Sequence, residues 1–170
     1  MCAQIDEATQ KTIKDKHFKS KMNVISFKME ICLKLFIKSD PIEEYFCDGC
    51  NTKTTADCVN EIAHLPKILV IHIKRFIDTT TKRNNLIDFP FNLDMEPLVN
   101  KNVNIVTNTK YKLCSVINHT GTLQYGHYYT YGYDKVNDCW LKFDDTNVTV
   151  IPETKIVSAK AYMLFYELCE

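Results

Sequence analysis

The feature that most constrains the fold is a pair of alternating runs in the C-terminal half of the chain. The first is Tyr125-Gly126-His127-Tyr128-Tyr129-Thr130-Tyr131 and the second is Cys139-Trp140-Leu141-Lys142-Phe143-Asp144-Asp145. Both have the two-residue period of a strand. Between them, Gly132 and Asp134-Lys135-Val136-Asn137-Asp138 have the composition of a turn. The pattern predicts an antiparallel hairpin with a histidine at the start of one strand and an acid at the end of the other. An imidazole held by a carboxylate through one ring nitrogen keeps its second nitrogen free to accept a proton. His127 and Asp144 are therefore candidates for a base and its orienting acid, with Asp145 as a second acid. Gly126, with no side chain, leaves room for a substrate backbone to pass. The same residues also fit a structural role, as an ordered histidine in an aromatic strand and acids that end a strand.

Other runs place this hairpin in a larger sheet. Residues 23–29 alternate like a strand, and Ile31, Cys32, Leu35 and Phe36 follow at helical spacing, stopping by Ser39-Asp40-Pro41. The apolar run Ile68-Leu69-Val70-Ile71 predicts a central strand buried on both faces, with Pro66 at its entrance and Lys74-Arg75 ending it in solvent. Residues 77–85 are polar and read as a hairpin tip or exposed loop. Residues 87–93 alternate weakly around Pro90, which marks an edge or a bulge. An Asn-rich loop is expected over 96–109, then a strand over 111–119 that turns at Thr120-Gly121-Thr122 toward His127. Val148-Thr149-Val150-Ile151 is a short strand, Pro152 opens a helical turn, and residues 161–167 close the sheet as a buried strand.

Composition narrows the function classes. At 170 residues the chain has the size of one domain, and 45% hydrophobic content with only four Gly and five Pro excludes a disordered chain. Lys plus Arg and Asp plus Glu are 21 each, a balance that argues against a nucleic-acid or membrane-surface partner. No apolar run reaches the length of a membrane span, and the first residues carry no secretory pattern. Eight unevenly spaced cysteines then point to free thiols in a reducing compartment, cytoplasmic or nuclear. Cys47-Asp48-Gly49-Cys50 is half of a zinc knuckle, since one tight turn can offer two thiolates. Cys58 is badly spaced to complete it, and His64 and Cys32 are irregular, so an orphaned knuckle or two free thiols is the competing reading.

Taken in order, these blocks resemble the C-terminal half of the ubiquitin-specific protease family, the papain-like cysteine deubiquitinases. The matching blocks begin with Tyr45-Phe46-Cys47-x-x-Cys50, residues 65–76 and Asp88-Phe89-Pro90. They continue with residues 111–121, Gly126-His127-Tyr128, Trp140-Leu141-Lys142-Phe143-Asp144-Asp145 and residues 161–166. The resemblance covers roughly residues 23 to 167. It implies an α+β fold, the mostly antiparallel palm and fingers of a papain-like cysteine protease with the helical thumb missing. Residues 1–22 would be a degenerate fingers segment and 23–170 the fingers and palm. His127 and Asp144 would be the catalytic histidine and its acid, with Asp145 a possible second acid. Gly126 and Tyr128 would line the channel for the ubiquitin tail. The implied reaction is hydrolysis of (iso)peptide bonds at the C-terminal glycine of ubiquitin by a thiolate, through an acyl-enzyme.

Two departures from the family pattern shape the expectation. The Gly-x-x-Cys-Tyr-like block that carries the family's nucleophile has no counterpart in these 170 residues, and Cys2 in Met1-Cys2-Ala3-Gln4 lacks its neighbours. The chain alone is therefore expected to be inactive. The alternative is a catalytically dead remnant that binds ubiquitin or docks on a partner. The family's zinc site pairs Cys47 and Cys50 with an earlier Cys-x-x-Cys, where this chain has Thr9-Gln10-Lys11-Thr12. Threonine is a poor zinc ligand, so no metal and no other cofactor is expected. The expected partners are ubiquitin or a ubiquitinated protein, together with a partner chain or the missing N-terminal half.

Overall fold

The computed structural model describes residues 2–3, 26–100 and 108–170. The expectations for 4–25, including the Thr9-Gln10-Lys11-Thr12 segment and the start of the 23–29 strand, and for the middle of the Asn-rich loop lie outside the described residues. Among those described, the chain forms an eight-stranded sheet, two smaller strand pairs, one α-helix and two 3-10 turns.

The chain begins with β1 (Cys2–Ala3), β2 (Ser26–Lys28) and α1 (Met29–Phe36). The expected strand over 23–29 is shorter at its end, because Met29 already opens the helix. The helix buries Met29, Cys32 and Leu33, which stand at i, i+3 and i+4, and leaves Ile31 exposed. The buried stripe is thus rotated by one residue from the expected face. Burial pushes the Cys32 thiol up to about 11, which makes it a packing residue rather than a nucleophile.

β3 (Asp40–Cys47) and β4 (Thr52–Cys58) form a separate two-stranded hairpin. Cys47 and Cys50 flank its tip, where Asn51 N–H donates to the Cys47 carbonyl at 2.8 Å. Hydrogen bonds from Cys50 and Gly49 hold the Cys47 thiol below its usual range. Cys58 pairs with Asp40 at the opposite end of the same hairpin, about 20 Å of strand away. Among the described residues no third His, Cys, Asp or Glu joins Cys47 and Cys50.

β5 (Ile68–Ile73) is not the strand its composition predicts. Leu69, Ile71 and Ile73 are buried on one face while Ile68 is 46% exposed. It also lies near the sheet margin, between β1 and the C-terminal strand. Arg75 does not end the strand in solvent. It is 2% exposed, and its guanidinium donates to the carbonyls of Ala161 at 2.6 Å, Asn85 at 2.9 Å and Arg83 at 3.1 Å. Burial lowers its pKa to about 10. One planar cation thus fastens the 77–85 loop to the start of the last strand.

Pro90 separates β6 (Leu86–Asp88), which pairs with β2, from β7 (Asn92–Asp94), which pairs with the next strand. That strand, β8 (Lys110–Gly121), is followed by β9 (Gly126–Asp134), β10 (Cys139–Asp144) and β11 (Asn147–Ile151) in an antiparallel meander. A single 3-10 turn (Glu153–Lys155) follows Pro152. β12 (Ala161–Leu168) then inserts between β5 and β8. Gly132 lies inside β9 opposite Leu141, not in the turn. A Cβ there would come within 3.1 Å of the Phe143 ring, so the glycine makes room for a cross-strand aromatic.

Two register shifts in the β8–β12 pairing reset which side chains face the core. They leave Cys114 of β8 and Tyr162 of β12 without an opposite residue. An extra residue on one strand reverses the alternation beyond it. On β8, Tyr111 and Leu113 are buried before the shift, and Val116 and Asn118 after it.

Candidate active site

β9 and β10 carry the candidate residues because their register sets one face. Tyr131 lies opposite Lys142 and Thr130 opposite Phe143, which puts His127, Tyr129, Tyr131, Lys142 and Asp144 on the same side of the hairpin. His127 and Asp144 are then diagonal neighbours, within reach across the strands. His127 Nε2 donates to Asp144 Oδ1 at 2.6 Å. Nδ1 is the ring nitrogen left open, with no partner among the described residues. Both side chains are partly exposed, at 47% and 28%.

Asp145 stands in the turn after β10 with a positive φ of 52°. Its carboxylate lies in the same cluster, the three ligand-type atoms of His127, Asp144 and Asp145 falling within 4.8 Å of one another. Among the described residues no cysteine belongs to this cluster. The hydrogen bond to Asp144, reinforced by the charges of Asp144 and Asp145, raises the His127 pKa above its ordinary value, and Lys142 opposes the shift. Asp144 is held below the usual carboxylate range by Lys142 first and by His127 second. The arrangement keeps an ionised carboxylate on one nitrogen of an imidazole and presents the other to solvent. Chemically it can accept a proton from a group brought to Nδ1.

On the opposite face of the sheet, His119 explains why residue 126 is a glycine. The place a Cβ would take at Gly126 is filled by His119 Nε2, and the Thr120 carbonyl lies 2.8 Å from it. The room expected for a substrate backbone is therefore taken on that side by the protein's own ring. His119 is buried, and burial together with Lys82 lowers its pKa. Lys82 Nζ donates to His119 Nδ1 and to the His119 carbonyl, each at 2.9 Å, and to the Gly121 carbonyl at 3.3 Å. Tyr128 is 54% exposed and its ring lies 4.4 Å from that of His119, with Tyr162 a further neighbour at 6.0 Å. The turn that delivers His127 is thus braced from the 77–85 loop. A cleft of about 480 Å³ lined by Phe91, Tyr133, Trp140 and Glu153 lies at the other end of the hairpin, away from this chemistry.

The sequence pattern brings forward His127, Asp144 and Asp145, and the structure gathers all three. It misses Lys142, Lys82 and His119. Lys142 has a signal, its even spacing from Asp144 on one strand. Lys82 has none, because it reaches His119, on the opposite face, from a polar loop.

The described strands thus form a mostly antiparallel sheet with a partly exposed His–Asp pair on two adjacent strands. The model of the family described as ubiquitin carboxyl-terminal hydrolase matches residues 4–166, and the chain belongs to that family. It is similar to ubiquitin carboxyl-terminal hydrolase 2 of Gallus gallus, 35% identical over 144 residues, which are 81% of this chain and 40% of that protein. It is also similar to ubiquitin carboxyl-terminal hydrolase 15 of Homo sapiens, 35% identical over 148 residues, 82% of this chain and 15% of that one. Among solved structures, the SAGA Ubp8/Sgf11/Sus1/Sgf73 DUB module bound to ubiquitin aldehyde matches with a TM-score of 0.72 and 28% identity, over 85% of this chain and 34% of that chain. The same module with a substituted Ubp8, bound to monoubiquitin, gives 0.72 and 29%, over 85% of this chain and 33% of that one. The chain spans between 15% and 40% of the length of these curated relatives. The mostly antiparallel α+β architecture is that of the ubiquitin-specific protease catalytic domain.

Proposed function

We propose that this chain supplies the histidine–acid half of a cysteine-type deubiquitinase site, acting on (iso)peptide bonds at the C-terminal glycine of ubiquitin. The observation that carries the reading is the His127 Nε2–Asp144 Oδ1 hydrogen bond, which leaves Nδ1 open on a protein of this family. His127 takes the proton from a thiol and later returns it to the leaving amine, while Asp144 holds the ring and stabilises the imidazolium. Asp145 adds negative charge beside the ring. Gly126 and Tyr128 border the path of the ubiquitin tail, and the protein works in the cytoplasm or nucleus.

The thiol is supplied from outside the cluster described above. Residues 1–170 incubated with ubiquitin bearing a C-terminal electrophile should therefore form no covalent adduct. Supplying a family segment that carries the Gly-x-x-Cys-Tyr-like block should give an adduct that His127→Ala abolishes. An adduct on Cys2 of the chain alone, or one indifferent to His127, would refute the reading. The second reading is a ubiquitin-binding or partner-docking remnant. That reading expects ubiquitin binding without an adduct even when the thiol segment is present.

A further inference from the structure

Lys142 stands two residues before Asp144 on β10, and so on the same face of the hairpin. Its Nζ lies 2.5 Å from Asp144 Oδ2, while His127 Nε2 holds Oδ1 at 2.6 Å. The carboxylate is gripped at both oxygens, by donors from two different strands. The ammonium also sits 4.7 Å from the centroid of Tyr129, a buried ring that stacks on His127 at 6.4 Å. Tyr129 thus forms a common floor for the lysine and the imidazole.

We propose that Lys142 is a positioning residue of this site, fixing the orientation of Asp144 and cancelling one of the two negative charges that face the His127 ring. The inference rests on the reading of His127 and Asp144 as base and orienting acid, and adds to it the residue that sets their balance. The charged groups facing His127 are Asp144 and Lys142 from β10 and Asp145 from the following turn. On β8 its partner is Thr120, which is uncharged. Two carboxylates with no cation would hold a proton on the imidazole to higher pH and withdraw the base near neutrality. An Asp144 with a free Oδ2 could also rotate off the ring, because a single hydrogen bond does not fix a carboxylate plane. The His127, Asp144 and Asp145 atoms have the spacing of a cation site, but the ammonium of Lys142 already occupies the outer oxygen of Asp144.

The test is an NMR titration of the chain carrying labelled histidine and lysine. Lys142→Met keeps an unbranched stem and removes the charge. It should move the His127 midpoint to higher pH, and Lys142→Arg should leave it near wild type. Asp144→Asn should lower the His127 midpoint and return Lys142 to the titration of an exposed lysine. If Lys142→Met does not fold, the Lys142 signal in wild type against Asp144→Asn decides alone. An unmoved His127 midpoint in Lys142→Met, or a Lys142 titration identical with and without Asp144, overturns the proposal. A His127 that ignores Asp144→Asn overturns the underlying pair as well. A His127 that answers to Asp144→Asn but not to Lys142→Met removes the lysine alone.

Discussion

Replacing Arg75 by methionine should be among the most damaging single changes outside the candidate site. The side chain is 2% exposed and donates to three backbone carbonyls, those of Ala161, Arg83 and Asn85. A hydrogen bond to a charged group contributes about 1.5–3 kcal/mol, so three set a ceiling of about 5–9 kcal/mol before coupling between them is considered. Against this stands the desolvation of the cation. Burial drops its pKa from 12.5 to about 10. At about 1.4 kcal/mol per unit, removing the charge relieves about 3 kcal/mol. Methionine also fills much of the space of the lost stem. Subtracting that relief from the ceiling leaves a net loss of about 2–6 kcal/mol, which for a chain of this size lowers Tm by about 4–24 °C. Arg75→Lys should do no better, since one ammonium cannot span three carbonyls held by a planar fork. Equilibrium urea unfolding of the three proteins measures the difference. A loss below about 1 kcal/mol for Arg75→Met would refute the view that the buried guanidinium fastens the 77–85 loop to β12.

Gly126→Ala should destabilise the chain, because its methyl would overlap His119 Nε2, and His119→Ala in the same chain should recover part of the loss; equal stability of Gly126→Ala and wild type in urea melts would show that the ring is not fixed there. The His127–Asp144 pair should give stability a pH window. Asp144 has a depressed folded pKa, so its contribution is present above the unfolded value of about 3.9 and fades as pH falls through the folded one. His127 has a raised folded pKa, so its contribution is full below about 6.5 and fades as pH rises through the folded value. The difference in stability between wild type and Asp144→Asn should therefore be greatest between about pH 4 and 6.5, and a difference that does not shrink below and above that window would contradict the pairing.

The hairpin is legible because alternation reports a strand and its face together. The diagonal juxtaposition of His127 and Asp144 follows from that alone. A glycine misplaces the turn: Gly132 answers to the ring of Phe143 on the neighbouring strand, which the local sequence cannot show. The run Ile68-Leu69-Val70-Ile71 looks central because an unbroken apolar stretch carries no phase, yet Ile68 points outward near the margin of the sheet. Arg75 reads as a solvent-facing end because the carbonyl that accepts its shortest bond, Ala161, comes from the far end of the chain. The same holds for Lys82, whose acceptors His119 and Gly121 belong to a strand and turn remote in sequence. Residues whose roles depend on partners of this kind have no local signature.

The place of β12 has a consequence for how the protein is made. Leu164 lies opposite Ile71, roughly ninety residues earlier, and the same strand pairs with β8 on its other edge. During synthesis both neighbours leave the ribosome long before the strand that joins them. Until it arrives β5 and β8 are two open edges, each able to recruit a strand from another nascent copy. A chain stopped before Ala161 should accordingly recruit more chaperone than residues 1–170.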